Sequence, residues 1–333
     1  MKIGNLILKD TPLFLAPMED VTYRSFRWMC KKFGADVVYT EFVSSEGLIR
    51  NVKKSKLKMA LFDSERPAAI QIYGHNINSM VRAAQVAEEF HPDFIDLNFG
   101  CPVKKIIRNG AGAALLKDLP KMQKMAESIV RAVKTPVTAK TRLGWNENDR
   151  PVLEAALRLQ DAGISALAVH GRTRDQMYYG TADWSLIGEV KNHPDINIPI
   201  IGNGDITSGK KAKYLLDKTG VDGLMIGRPA IGRPWIWGFD ASGFMPCWPP
   251  MNAITLTWWK PPGCCSTWRS ALPMKPASPS SLSISAAAWA SLIIPMTRPW
   301  TSVPWEPTSR RCSMNLTSRM DTSPVFTWKA GAT

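Results

Sequence analysis

Phe94-Ile95-Asp96-Leu97-Asn98-Phe99-Gly100-Cys101-Pro102 is an apolar run that turns polar at its C-terminal end. Phe94, Ile95, Leu97 and Phe99 give it the apolar density expected of a strand buried on both faces, and Gly100 and Pro102 end it. Working outward, the unit repeats. Upstream, the run 68–74 leads through helical spacing at 77–90 into 94–100; downstream, helical spacing at 119–133 leads to a run at 136–144. Further runs lie at 13–18, 37–43, 166–172, 198–205 and 223–227, with helical spacing again at 152–162 and 210–218. The stretch 44–66 is less regular and is expected to hold a loop with a short helix.

Eight apolar strands alternating with helices imply a parallel sheet covered on its outer face, and eight such units close into an α/β fold, the (β/α)8 TIM barrel. Polar and glycine residues gather where the strands end: APMED at 16–20, IQIYG at 70–74, LNFGCP at 97–102, AKTRLG at 139–144, VHGRTR at 169–174, IGNGD at 201–205 and MIGRP at 225–229. In a TIM barrel that is the active-site face.

Composition narrows the function. The 333 residues carry a formal net charge of +14, which favours a polyanionic partner, because clustered Lys and Arg release counterions from phosphates. No stretch of about 18 apolar residues suggests a membrane span, and MKIGNLILKD lacks the build of a signal peptide. A cytoplasmic location without membrane attachment is therefore expected. Cys30, Cys101, Cys247, Cys264, Cys265 and Cys312 form no CxxC pair and no zinc or iron–sulfur spacing, so no metal is expected. No obligate protein partner is evident.

Several strand-end residues have chemistry to offer. Asn203-Gly204-Asp205 and Gly227-Arg228 occupy the loops after strands seven and eight, where TIM barrels commonly hold a phosphate on backbone N–H groups that glycine lets approach. Lys140 and Arg142 are two apart on one strand and point to the same side. A lysine pointing into a barrel needs an anionic partner, because an unpaired buried charge is costly. The Gln71 amide offers a donor and an acceptor at a strand end, and His170 offers a ring N–H. Cys101 places a thiol on a polar loop at the mouth, where an inert apolar filler is not expected. Lys104, Lys105, Arg108, Arg172 and Arg174 lie on the same face and are candidates for gripping phosphates.

The motifs APM at 16–18, LNFGCP at 97–102, AKTRLGW at 139–145, VHGRTR at 169–174, GNGD at 202–205 and IGRPAIGRPW at 226–235, in this order over about residues 1–238, resemble the tRNA-dihydrouridine synthases. The similarity is nearest to their bacterial DusB-like branch. The resemblance implies FMN held by Pro17, Met18, Gln71, Lys140, His170, Asn203, Gly204, Asp205, Gly227 and Arg228. It implies NADPH or NADH as electron donor, tRNA as substrate and partner, and Cys101 as the acid that protonates the uracil. Asn98 and Arg142, with Arg172, match positions near the substrate. Two other readings stay open: a flavin reductase of a free pyrimidine, and an RNA-binding barrel that no longer turns over.

After Gly238 the character of the sequence changes. Prolines, serines and tryptophans crowd in, and from Ala241 to the end the only acidic residues are Glu306 and Asp321. Segments such as TWWKPPGCCSTW show neither helical nor strand period, yet they are too aromatic for ordinary disorder. The expected organisation is an FMN-binding barrel at 1–238 and, at 239–333, a tail translated out of frame in place of the family's helical tRNA-binding domain. The eighth barrel helix, due near Pro234, is then cut to about one turn, and the chain is expected to fold poorly or bind tRNA weakly.

Overall fold

Period-two alternation in a parallel sheet becomes an inside and an outside once the sheet closes. The computed structural model describes residues 1–238, and the expectations for 239–333 lie outside the described residues. Parallel strands β1 (Leu13–Leu15), β2 (Val38–Tyr39), β3 (Ala68–Tyr73), β4 (Phe94–Phe99), β5 (Val137–Arg142), β6 (Leu167–His170), β7 (Ile200–Asn203) and β8 (Gly223–Ile226) pair in sequence order. β8 returns to β1, with Ile226 opposite Leu15, and a bridge between Phe14 and Val37 completes the ring. The expected (β/α)8 barrel is present.

Helices α1 (Arg24–Lys32), α2 (Ser45–Ile49), α3 (Ile77–Glu88), α4 (Leu119–Ala132), α5 (Val152–Asp161), α6 (Ser185–Lys191) and α7 (Gly209–Thr219) follow the first seven strands. Local chemistry sets several of their ends. Asn76, Asp118 and Ser208 accept hydrogen bonds from the N–H groups of Ser79, Lys121 and Lys211, capping α3, α4 and α7. Gly220, at φ 67°, ends α7 in the left-handed conformation. The irregular stretch 44–66 holds α2, a second short helix at Lys53–Lys58 and a 3-10 turn at Asp63–Glu65. Among the described residues, the eighth helix is represented by the 3-10 turn Pro234–Trp237, whose Ile236 and Trp237 are buried.

Inside the ring, Phe14, Val37, Tyr39, Phe94, Ala166, Ala168, Ile201 and Met225 form an apolar plug. Ile3 joins it from a hairpin of Lys2–Ile3 and Leu6–Ile7 that the sequence pattern did not announce, its strands being two residues each. The alternate residues, among them Leu15, Ile70, Ile95, Leu97, Ala139, Val169 and Leu224, pack outward against the helices. Arg27 of α1 pins the 44–66 excursion with a bidentate bridge to Glu65, at 2.8 and 2.9 Å, and bonds to the carbonyls of Thr22 and Ala60. Both partners are buried.

Removing one member of this pair leaves the other charge unpaired in the interior, which costs about 3–5 kcal/mol. Arg27→Met is therefore expected to lower the unfolding free energy by that amount in denaturant titration, and Arg27→Met with Glu65→Leu is expected to recover most of it.

Candidate active site

Parallel register stacks the polar strand ends into one layer. Gln71 stands opposite Asp96, Asn98 opposite Lys140, Arg142 opposite His170, and Asn203 opposite both His170 and Met225. Above the apolar plug these side chains, Asp96 excepted, floor a cavity of about 420 Å³ at the C-terminal mouth. Pro17 and Met18 from the loop after β1, Cys101 and Pro102 after β4, Gly204 and Asp205 after β7, and Gly227 and Arg228 after β8 form its walls.

One wall carries backbone N–H groups left without a protein partner among the described residues, those of Gly204, Asp205, Gly227 and Arg228. Gly204 sits at φ 127°, where a Cβ would stand 2.7 Å from that of Ala182, so only glycine fits between the β6 and β7 loops. Asn203 is fixed by donating to the Met225 carbonyl at 2.6 Å. The exposed Arg228 guanidinium lies 4.5 Å from the centre of the Tyr178 ring, a cation–π contact that steers it across the mouth.

The electrostatics follow from burial. Desolvation and the neighbouring Arg142 lower the Lys140 ammonium to about 8, leaving it mostly charged at neutral pH, and no carboxylate lies within ion-pair distance among the described residues. Desolvation, with Lys140, Arg142, Arg172 and Arg228 around it, drives the His170 pKa well below its usual value, so the ring is neutral. Its Nε2 lies 3.4 Å from an Arg172 nitrogen. Arginine only donates, so Nε2 is the acceptor and Nδ1 carries the proton. Burial also raises the Cys101 thiol, against the lowering influence of the Val103 N–H and Arg142, and keeps it protonated. Gly112, at φ 60°, lets the following loop close on Cys101, since a Cβ there would meet the Cys101 carbonyl oxygen at 2.8 Å.

Cys101, Asn98, Arg142 and all ten residues expected at the cofactor line this cavity. Arg172 does not. It is buried behind the wall, donating to both carboxylate oxygens of Asp205, at 2.8 and 2.9 Å, and to the carbonyls of Tyr179 and Gly180. It holds the loop after β6 rather than facing the cavity. Arg142, though in the lining, spends its guanidinium on the carbonyls of Gly100, Thr173 and Met177 at 2.8 Å each. Arg174 pairs with Asp175 and stacks on Trp145. Lys104, Lys105 and Arg108 are exposed on the short helix Lys104–Arg108 beside the mouth. Sequence reasoning missed Phe42 and Tyr178 in the lining, and gave Asp96 no role although it stands in the motif that decided the fold. Its carboxyl, fully buried, is lifted to about 6 by desolvation despite bonds from Thr138 and Gln71 and the nearby Lys140.

Polar strand ends over a sealed apolar interior, opening on one cavity at the C-terminal face, make this a (β/α)8-barrel enzyme. Residues 14–255 match the Dihydrouridine synthase (Dus) family, and the chain belongs to that family. The tRNA-dihydrouridine synthase B of Pasteurella multocida (strain Pm70) is 42% identical over 237 residues, spanning 71% of this chain and 70% of its own length. That of Vibrio vulnificus (strain CMCP6) is 44% identical over 237 residues, 71% of this chain and 73% of its own. A 2-naphthoyl-CoA reductase in complex with 2-naphthoyl-CoA shares the fold, with a TM-score of 0.56 over 71% of this chain and 50% of that one, at 12% identity.

The raised carboxyl makes stability depend on pH in a stated direction. Because the folded pKa of Asp96, about 6, exceeds its ordinary 3.8, its contribution is full below about 4 and is lost as pH rises through about 6. Asp96→Asn abolishes that dependence. The unfolding free energy of the variant minus that of the native chain is expected to grow by up to roughly 3 kcal/mol between pH 4 and 8, and equal slopes in paired denaturant titrations would contradict it.

Proposed function

We propose that this chain reduces specific uridines of transfer RNA to 5,6-dihydrouridine, with FMN in the cavity and NADPH or NADH as electron source. The observation that carries the reading is that one cavity joins a four-N–H anion cradle, an inward lysine and a protonated thiol. Family membership and the relatives named tRNA-dihydrouridine synthase B support it.

The residues present fit the cofactor. The free N–H groups of Gly204, Asp205, Gly227 and Arg228, with the Arg228 side chain, suit a phosphate. Lys140 suits the electron-rich edge of a reduced isoalloxazine, and Pro17 and Met18 offer apolar contact. Neutral His170 can donate only through Nδ1, and Asn203 and Gln71 complete the polar lining. When bound, FMN supplies a hydride to C6 of the uracil ring.

The remaining work belongs to the protein. Cys101 gives its proton to C5, so that a hydride and a proton together saturate the C5–C6 bond, and the thiolate recovers its proton from solvent. A thiol held in its protonated form is suited to that role. Asn98 offers its amide to the uracil, and Arg142 keeps the Cys101 loop in place through the Gly100 carbonyl. The target base must leave its stack to reach the cavity. Lys104, Lys105 and Arg108 stand at the mouth to hold phosphates of the surrounding RNA, and Arg172 acts indirectly, through Asp205.

Cys101→Ala is expected to lower turnover on unmodified tRNA by roughly 10²- to 10⁴-fold while leaving tRNA affinity unchanged. Nucleoside mass spectrometry and filter binding measure the two, and an unimpaired variant would remove Cys101 from the mechanism. Residues 1–238 are read as the catalytic barrel and 239–333 as an out-of-frame tail; an alternative frame of the coding DNA after Trp237 is expected to encode amphipathic helices, and the absence of any such frame would refute this.

A further inference from the structure

Beneath the cavity, a chain of hydrogen bonds runs from a carboxylate to the backbone of the cysteine. Asp96 accepts from Thr138 Oγ1 through one oxygen and from Gln71 Nε2 through the other, both at 2.6 Å. Gln71 Oε1 accepts from Asn98 Nδ2 at 2.8 Å, and Asn98 Oδ1 accepts from the N–H groups of Cys101 at 2.9 Å and Gly100 at 3.2 Å. Asp96 and Gln71 are fully buried, and Asn98 and Cys101 nearly so.

The direction of this chain is forced from its carboxylate end. An ionised carboxylate can only accept, so Gln71 must turn its NH2 group toward Asp96 and its oxygen toward Asn98. Asn98 must then present its own NH2 group to Gln71, which leaves its oxygen for the Cys101 and Gly100 N–H groups. Flipping either amide would set donor against donor or acceptor against acceptor in a buried place, at about 1–3 kcal/mol for each group left unsatisfied. Gln71, Asn98 and Cys101 line the cavity, whereas Asp96 does not.

We propose that Asp96 is a positioning residue: by fixing the orientation of the Gln71 and Asn98 amides, it sets which of their polar atoms face the cavity and holds the backbone of Cys101. The inference deepens the reading of this cavity as the site of uridine reduction and rests on it for its catalytic consequence. The order lasts only while Asp96 is ionised. With the carboxyl at about 6, protonation gives Asp96 a donor of its own, and the Gln71 orientation is no longer imposed. The titratable groups that face it are Lys140 on β5, whose charge favours ionisation, and Tyr39 on β2, which burial keeps neutral.

The test labels thiols of the full chain with 4,4′-dipyridyl disulfide, which reacts down to acidic pH, and reads each cysteine separately by peptide mass spectrometry. Cys30, buried in α1 away from the chain of bonds, reports global opening. At pH 8, Cys101 of Asp96→Asn is expected to react roughly 2- to 10-fold faster than in the native protein, as fits the loss of one restraining hydrogen bond, with Cys30 no faster. The ratio is expected to fall to one below about pH 6. Equal Cys101 rates at pH 8, or a parallel rise at Cys30, overturn the proposal.

If Asp96→Asn does not fold, Thr138→Val removes one donor to the carboxylate. Its Cys101 protection is then expected to be lost at higher pH than in the native chain, and an unmoved midpoint overturns the proposal. In tRNA assays Asp96→Asn is expected to lower kcat without raising KM. A native chain that modifies no uridine, while the labelling pattern holds, sinks the uridine reading and leaves the positioning role standing.

Discussion

A side chain that points into a closed barrel finds no bulk water there, and the rest of the site depends on how that constraint is met. In the lower layers it is met by apolar residues, from Ile3 and Phe14 to Phe94 and Met225. One layer higher, the same inward positions carry Gln71, Asp96, Asn98, Thr138, Lys140, His170 and Asn203. Each of these is tied to a neighbour, held neutral, or turned toward the cavity. The pKa shifts of Asp96, Lys140 and His170 share one first cause, the withdrawal of solvent from groups fixed to rigid strands.

Rigidity and chemistry are divided between layers. Arg142, Arg172 and Asp205 carry full charges at the rim, yet most of their hydrogen-bonding capacity goes to carbonyls, an N–H group and each other. They knit the loops after β4, β6 and β7 into one wall. What remains for a ligand is the backbone of Gly204, Asp205, Gly227 and Arg228, the ammonium of Lys140 and the thiol of Cys101. A site assembled this way presents few groups, each with little freedom to move.

Much of this was legible in the sequence because the signals were local. Apolar runs at strand spacing announced the barrel, and polar residues at the ends of most runs fell on the cavity, because parallel strands of equal sense deliver their ends to one face. Arg172 shows the limit: nothing in VHGRTR says that the arginine two positions after His170 turns away from the cavity to meet Asp205, 33 residues further on. Tyr178 was illegible for the same reason, being brought to the cavity by a loop path, whereas Phe42 lies within the run 37–43 but falls between the short strands Val38–Tyr39 and Val43–Ser44. The hairpin that delivers Ile3 escaped notice because two-residue strands have no period to detect. Asp96 was quoted in the deciding motif, yet its part in ordering two amides depends on Gln71, 25 residues away, and on register.

The hairpin at the opposite end has its own consequence. With Ile3 seated among Phe14, Tyr39 and Phe94, the barrel floor is a stopper, and among the described residues the ligand cavity lies at the opposite, C-terminal face. On the proposed reading, the nicotinamide donor and the RNA strand would both come to the cavity from that face, two unlike visitors sharing one approach.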